Sequence, residues 1–319
     1  MNIVIFSKST WNVLNFRKNL IKEMMRKGWN IYVIASTDKS KSDLKSIGCN
    51  IIPIKINNKK INPFNDLILF LKILKIYYSI KPNVTCHFNI KPVIYGSMAS
   101  RILKIPSINM ITGLGTAFLS KSWINGIVKL LYYLSLKKTD SVFFQNEDDK
   151  NLFIENNLVP FSSAYKTPGS GIDLDHFRVA DYPKDKEICF LLISRILWDK
   201  GIKEYVEAAR YIKSKYSHIS FSLLGPIEYE SKSEISLNQV KLWMNEGIIN
   251  YLGSVNDVRP YIKESHCVVL PSYREGTPKS LLEAAAMARP IIATNVVGCK
   301  EVVNEGYTGF LCENKNYIN

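Results

Sequence analysis

The stretch C-V-V-L-P-S-Y-R-E-G-T-P-K-S-L-L-E-A-A-A-M-A-R-P-I-I-A-T, Cys267 to Thr294, decides the fold. A short β-branched run, Cys267–Leu270, breaks at Pro271 and passes through a Gly/Pro turn. An Ala- and Leu-rich helical pattern follows, and β-branched residues return at Pro290–Thr294. Two parallel strands need a crossover between them, normally a helix, so this order reads as a βαβ unit. Thr277 fits the helix N-cap, with Pro278 at the first helical position.

Two carboxylates bracket that helix start. Glu275 falls in the turn at the strand's carboxyl end, and Glu283 about a turn and a half into the helix. Free N–H groups and the positive end of the helix dipole between them can hold a diphosphate. Carboxylates accept paired sugar hydroxyls, so Glu275 suits one end of a nucleotide sugar and Glu283 the ribose at the other. On spacing alone a second reading stays open, in which Glu275 pairs with Arg274 and Glu283 with a nearby lysine.

The same alternation runs the length of the chain. Strands are expected at Asn2–Phe6, Asn30–Ala35, Asn50–Ile54, Asn83–Phe88, Ser107–Ile111, Ser141–Gln145 and Ala164–Thr167. Helical patterns lie between them at Asn15–Lys27, Ser40–Ile47, Pro63–Ile80, Pro92–Leu103, Ser122–Lys137 and Glu147–Asn156. The polar run F-R-V-A-D-Y-P-K-D-K (Phe177–Lys186) has no periodicity and reads as a linker. Strands then resume at Ile188–Ser194, Ile219–Leu224, Ile249–Leu252, Cys267–Leu270, Pro290–Thr294 and Gly309–Cys312. Alternation of this kind means α/β: two Rossmann-like domains, residues 1–176 and 177–319, each a parallel sheet covered by helices. Ligands of such sheets lie beyond the carboxyl ends of the strands, so the expected site is the cleft between the domains. The second block stops after a short strand with no closing helix, and a truncated C-terminal domain is expected.

Composition is that of a soluble or peripheral protein. The 319 residues suit two domains at roughly 150 residues each. A formal net charge of +14 favours an anionic partner, although the abundance of Lys, Asn and Ile throughout accounts for part of it. The six cysteines, Cys49, Cys86, Cys189, Cys267, Cys299 and Cys312, show no C-x-x-C spacing and read as buried small hydrophobes in a reducing cytosol. The N-terminus starts directly as a strand, with no signal-peptide layout. No apolar run approaches the ~18 residues that span a bilayer. Basic recognition helices and aromatic-studded sheet motifs are absent, which disfavours a nucleic-acid partner.

A second constellation, S-R-I-L-W-D-K-G (Ser194–Gly201), follows the first strand of the second block. It puts Arg195 and Lys200 at a strand's carboxyl edge, where a planar fork and a point charge can neutralise a leaving diphosphate.

These residues carry a resemblance. P-S-Y-R-E-G-T-P-K-S-L-L-E-A-A-A-M resembles the E-x7-E signature of retaining glycosyltransferases of family 4, which have the two-domain GT-B fold, and S-R-I-L-W-D-K-G is similar to that family's diphosphate motif. T-P-G-S-G-I-D-L-D-H-F (Thr167–Phe177) resembles its interdomain segment, and Y-L-G-S-V-N-D-V (Tyr251–Val258) the stretch beside the nucleotide base. N-F-R (Asn15–Arg17), C-H-F-N-I-K-P-V-I-Y-G (Cys86–Gly96) and I-T-G-L-G-T-A-F (Ile111–Phe118) resemble the branch that builds capsule, O-antigen and other lipid-linked bacterial glycans.

The resemblance implies Glu275 on the donor sugar's hydroxyls, Glu283 on the ribose and Val255 beside the base. It implies Arg195 and Lys200 on the diphosphate, with backbone N–H groups around Gly276 and Thr277 completing the cradle. His87 and Lys91 would meet the acceptor or the transferred sugar. Where many relatives have a Gly-rich loop after the first strand, this chain has K-S-T-W-N-V-L-N-F-R (Lys8–Arg17), so Asn12 and Asn15 would make those contacts. The partners implied are a nucleotide-sugar donor, a UDP-sugar, and a lipid-linked saccharide acceptor, with no cofactor and no nucleic acid. The place implied is the cytoplasm, peripheral to the inner face of the cytoplasmic membrane. Two segments suit that place: Pro63–Pro82, with Lys72, Lys75 and Lys81 among apolar residues, and Lys121–Lys138, with Trp123, Tyr132, Tyr133, Lys129, Lys137 and Lys138. Each also reads as an ordinary sheet-covering helix. Asp173-Leu174-Asp175 spells the metal motif of the other glycosyltransferase fold, but it lies in an interdomain turn, and no metal is expected. Gly113-Leu114-Gly115 lacks the third glycine of a dinucleotide site. A nucleotide-sugar 2-epimerase and an inactive sugar-nucleotide-binding remnant are the alternatives that the same features allow.

Overall fold

The computed structural model describes residues 1–57, 62–114, 123–227 and 233–318. Gly115–Phe118 of the I-T-G-L-G-T-A-F motif, and Lys121 and Ser122 at the start of the second basic segment, lie outside the described residues. The chain forms two compact units, Met1–Ser170 and Gly171–Asn319. The division thus falls before Gly171, earlier than the expected boundary after His176.

The first unit runs β1 (Asn2–Ser9), α1 (Thr10–Arg26), β2 (Asn30–Ser36), α2 (Lys41–Ile47), β3 (Asn50–Pro53), α3 (Pro63–Ile80) and β4 (Val84–Phe88). A π-helical turn (Pro92–Gly96) and α4 (Ser97–Ile102) lead to β5 (Ser107–Ile111). Then come α5 (Trp123–Leu136), β6 (Ser141–Phe144), α6 (Glu147–Glu155) and β7 (Ala164–Lys166). All seven strands are parallel, in the order β3-β2-β1-β4-β5-β6-β7. Val4, Ile5 and Phe6 of β1 are wholly buried because helices cover both faces. Each such side chain contributes about 1.5–3 kcal/mol. Residues of α1 and α2 pack on one face, and residues of α3, α4 and α5 on the other.

Two helices differ from expectation. α1 begins at Thr10 and not at Asn15, because the Ser9 side chain accepts from the Asn12 N–H and caps the helix directly off the strand. From Thr10 onward, the residues that stand in place of a Gly-rich loop are therefore helical. The expected helix Pro92–Leu103 is split, its first turn widened to π geometry. That turn lays Gly96 against the His87 ring, where a Cβ would fall 2.5 Å from the ring carbon Cδ2.

The second unit runs β8 (Ile188–Ile193), a 3-10 turn (Trp198–Lys200), α7 (Ile202–Lys213), β9 (Ile219–Leu224), α8 (Leu237–Asn245) and β10 (Asn250–Tyr251). It continues with α9 (Arg259–Glu264), β11 (Cys267–Leu270), α10 (Lys279–Ala286), β12 (Ile291–Thr294) and β13 (Gly309–Cys312). Its six parallel strands take the order β10-β9-β8-β11-β12-β13. In each unit the order reverses once, between β1 and β4 and between β8 and β11. Sheets of this kind take ligands at the carboxyl ends of the strands flanking the reversal.

The expected linker belongs to the second unit. Phe177 is buried in its core. The buried Arg289 guanidinium donates to the carbonyls of Ala180 (3.0 Å) and Asp181 (2.6 Å) in the linker. It also donates to those of Ile262 (3.1 Å) and Lys263 (2.9 Å), at the end of α9. An arginine with no acidic partner is satisfied here by carbonyl oxygens, and it fastens an otherwise irregular segment.

Candidate active site

The second unit's reversal point is built by two loops. The loop after β8 carries Arg195 and Lys200, and the loop after β11 carries Glu275. Gly201 follows Lys200 in the left-handed region (φ 71°), and a Cβ on it would fall 1.9 Å from the Pro271 carbonyl oxygen. Glycine is thus required for the two loops to touch. They are further joined by the Tyr273 N–H and the Ser272 hydroxyl, both donating to the Asp199 carbonyl at 3.0 and 3.2 Å.

Across this junction the Lys200 Nζ donates to Glu275 Oε1 at 2.6 Å. Glu275 is held from behind as well: its N–H donates to the Val297 carbonyl at 3.0 Å, and Gly298 packs on the Glu275 and Gly276 carbonyls. Beneath them lies Cys299, fully enclosed, its thiol pushed up to about 12 by burial, so it stays neutral. Arg195 is exposed, two residues past the end of β8.

The helix start differs by one position from expectation. α10 begins at Lys279, and the residue preceding it is Pro278, in extended conformation, with no side-chain cap. Gly276 and Thr277 form the turn leading into it, both half-buried. Pro278 has a helix-compatible φ of −71° but a ψ of 117°, which leaves it outside the helix as the residue before it. Glu283 is buried on this helix and pairs with Lys279 at 3.0 Å, one turn earlier. The salt-bridge reading is therefore the observed contact for Glu283. Burial nonetheless raises the Glu283 carboxyl, and the charge of Asp257 raises it further. Asp257 is the partner of Arg259 (2.7 Å), and both follow the half-buried Val255, so the Tyr251–Val258 stretch lies on the Glu283 side of the unit.

In the first unit the reversal point holds a polar cluster. Ser7 Oγ donates to Asn12 Oδ1 at 2.8 Å, and Asn89 Oδ1 accepts from the Lys8 N–H at 3.2 Å. Asn12 is buried and Asn15 half-buried on α1. Lys91 pairs with Asp66 at 2.6 Å, both nearly enclosed. Asp66, the lone acid in the apolar α3 run, went unassigned in the sequence although that isolation was a signal. Its charge and hydrogen bond, with burial the larger cause, raise the Tyr95 phenol.

His87 lies deeper than its place at a strand end suggests. It is fully buried, its Nδ1 is 2.8 Å from Asn109 Oδ1 and its Nε2 3.0 Å from the Tyr77 hydroxyl. Asn109 offers an oxygen, so Nδ1 carries the proton and Nε2 accepts from Tyr77. Burial drives the ring's pKa down to about 4. Both ring nitrogens of His87 are thus engaged within the core of the unit. Asp173 is likewise a turn residue: its carboxylate accepts from the Asp175 and His176 N–H groups, both at 3.1 Å.

Two parallel-sheet α/β units, each with one reversal of strand order, have the architecture of the GT-B fold. Residues 187–319 match the "Glycosyl transferases group 1" family model, and residues 3–146 match "Glycosyl transferase 4-like". The chain belongs to the family 4 glycosyltransferases. It is 27% identical to the N,N'-diacetylbacillosaminyl-diphospho-undecaprenol alpha-1,3-N-acetylgalactosaminyltransferase of Campylobacter jejuni, over 99% of this chain and 86% of that one. It is 25% identical to a capsular polysaccharide biosynthesis glycosyltransferase of Staphylococcus aureus, over 99% and 84%. Among solved structures it resembles Anabaena HepE in complex with UDP and glucose, with a TM-score of 0.79 at 15% identity, covering 99% of this chain and 87% of that one.

Proposed function

We propose that the chain transfers a hexose or N-acetylhexosamine from a UDP-sugar to a lipid-linked saccharide, with retention of configuration, in the synthesis of a bacterial surface polysaccharide. The observation that carries this reading is the Lys200–Glu275 contact at the second unit's reversal point. A cation for the diphosphate and a carboxylate for the sugar's hydroxyls stand side by side there.

In this reading Lys200 and Arg195 neutralise the diphosphate, with the Gly276–Thr277 turn and the first N–H groups of α10 as further donors. Glu275 orients the sugar, Glu283 the ribose, and Val255 flanks the base. The bond from the anomeric carbon to the phosphate oxygen breaks, and its electron pair leaves with UDP. The acceptor hydroxyl bonds to the same face of that carbon and gives its proton to the departing phosphate. Charge developing on that phosphate is what Lys200 and Arg195 stabilise, so their effect falls on the transition state. In the first unit, Lys91 and the Asn12–Asn15 edge of α1 are the groups offered to the acceptor.

The membrane part of this reading rests on two helices. α3 exposes Phe64, Leu67, Leu71 and Tyr78 beside Lys72 and Lys75, and α5 exposes Ile127, Leu130 and Leu134 beside Lys137 and Lys138. α4 touches both helices, which puts the two stripes on one face of the unit. Apolar stripes edged by lysine suit an anionic lipid surface. Tyr132, by contrast, is buried. Among the described residues no helix is long and apolar enough to cross a membrane. Transfer of label from a UDP-sugar to a polyprenyl-diphosphate saccharide tests the whole reading, and release of free sugar with no acceptor-dependent product would refute it.

A further inference from the structure

Arg17 is buried without a counter-charge. It is 5% exposed, and its guanidinium lies 4.2 Å above the Phe88 ring. Nη1 donates to Ser170 Oγ at 3.3 Å, and among the described residues Nη2 meets only the thioether sulfur of Met110 at 3.0 Å. Nε is buried with no acceptor. No carboxylate pairs with Arg17 among the described residues, and residues 115–122, which follow β5, contain no Asp or Glu. Cys86 is the one ionisable neighbour acting on it, and burial pushes that thiol up to about 12, so it is uncharged at neutral pH. Burial lowers Arg17 only to about 10, which leaves it a cation.

The placement is specific. Phe88 ends β4, Met110 is in the last turn of pleat of β5, Gln145 directly follows β6, and Ser170 lies beyond β7. Arg17 therefore reaches over the carboxyl edge of the sheet, where parallel sheets take ligands. Gln145 Nε2 also donates to Ser170 Oγ, at 3.2 Å. Two donors thus converge on one neutral hydroxyl oxygen while Nε has nothing. A site rich in N–H donors, holding an uncompensated cation, matches an oxyanion. Arginine in a purely structural role is satisfied in this same chain by carbonyl oxygens, as Arg289 is.

We propose that Arg17 is an anion-binding residue of the first unit that takes a phosphate or diphosphate group. Resting on the function proposed above, that group is the diphosphate of the lipid-linked acceptor, distinct from the donor's diphosphate at Lys200.

The test is thermal unfolding of the full chain with inorganic pyrophosphate added in the presence of saturating UDP, which occupies the second unit. Pyrophosphate should raise the melting temperature of the wild type, raise it less for Arg17→Lys and not raise it for Arg17→Met. Arg17→Met should melt no lower than the wild type, since it removes a buried, unpaired charge. Its KM for a polyprenyl-diphosphate saccharide should rise about ten-fold or more while UDP affinity stays within about two-fold, as expected for loss of one charge-assisted contact. A pyrophosphate response that survives in Arg17→Met, with or without a loss of stability, overturns the site. A loss of UDP affinity with unchanged acceptor KM overturns the assignment to the acceptor. If the wild type uses no lipid-linked acceptor but the pyrophosphate response still requires Arg17, the anion site stands and only the acceptor reading falls.

Discussion

Lys200 and Glu275 are 75 positions apart in sequence and 2.6 Å apart in the fold, with side chains 12% and 17% exposed. Each emerges from a strand that flanks the reversal of the second sheet, so strand order alone makes them neighbours. The pairing separates their roles in a measurable way. Lys200→Ala and Glu275→Ala should each lower turnover by about 100-fold or more, the scale of losing one preorganised charge at a reacting centre. UDP affinity, read by calorimetry, should fall markedly for Lys200→Ala and little for Glu275→Ala, since only the lysine addresses the diphosphate. Near-wild-type turnover in either variant would remove the pair from the site.

Gly201 predicts a structural failure with a catalytic readout. Because a Cβ would fall 1.9 Å from the Pro271 oxygen, Gly201→Ala must push the two loops apart. Turnover should drop with UDP affinity, and the melting temperature should fall as the strained φ of 71° adds to the clash. An active, equally stable Gly201→Ala protein would mean that the loops need not touch.

Arg289 should behave as a fastening of the second unit. Replacing it with alanine leaves carbonyls of Ala180, Asp181, Ile262 and Lys263 without their shared donor. A loss of about 3 kcal/mol or more is expected in urea unfolding, at 1–3 kcal/mol for each buried group left unsatisfied. Arg289→Lys should recover little, because a single ammonium cannot span that fork of acceptors.

His87 predicts a pH dependence of stability. Its ring titrates near 4 in the folded protein against 6.5 when unfolded, so between these values the unfolded chain binds the extra proton. Stability from this residue is complete above about pH 6.5 and declines as pH falls toward 4, by up to about 3 kcal/mol. His87→Gln should flatten that part of the stability curve while leaving behaviour at neutral pH to be set by packing alone.

Much of this was legible beforehand, and the reasons divide cleanly. Strands such as Ser107–Ile111, Ile219–Leu224 and Cys267–Leu270 were placed to the residue, because buried parallel strands are short β-branched runs closed by turn residues. Lys200, Glu275 and Glu283 could be singled out as candidates because their spacing about one turn and one helix start is local. The partners of those residues were not legible, since the Lys200–Glu275 contact depends on which strands become neighbours. The depth of His87 was not legible for a related reason: a strand end can offer its last side chains to solvent or to the core, and here Tyr77 and Asn109 hold the ring inward. The buried state of Arg17 and the carbonyl cluster around Arg289 are long-range outcomes with no local pattern at all.

The exposed stripe on α3 bears on where the protein works. Leu67→Ser with Leu71→Ser, or Lys72→Glu with Lys75→Glu, should weaken binding to vesicles of anionic lipid in a sedimentation assay. The charge variant should lose its effect at high salt, where surface attraction is screened, and the apolar variant should not. Identical sedimentation of all variants would place the lipid contact elsewhere.

Donor and acceptor handling tests the account most directly. The full chain would be incubated with UDP-sugars, alone and with a polyprenyl-diphosphate saccharide, and the products analysed for linkage. The account predicts no epimerised or rearranged nucleotide sugar without acceptor, and with acceptor a glycoside that keeps the donor's anomeric configuration and is lost in Lys200→Ala. Conversion of the donor in the absence of acceptor, or an acceptor product with inverted configuration, would contradict it.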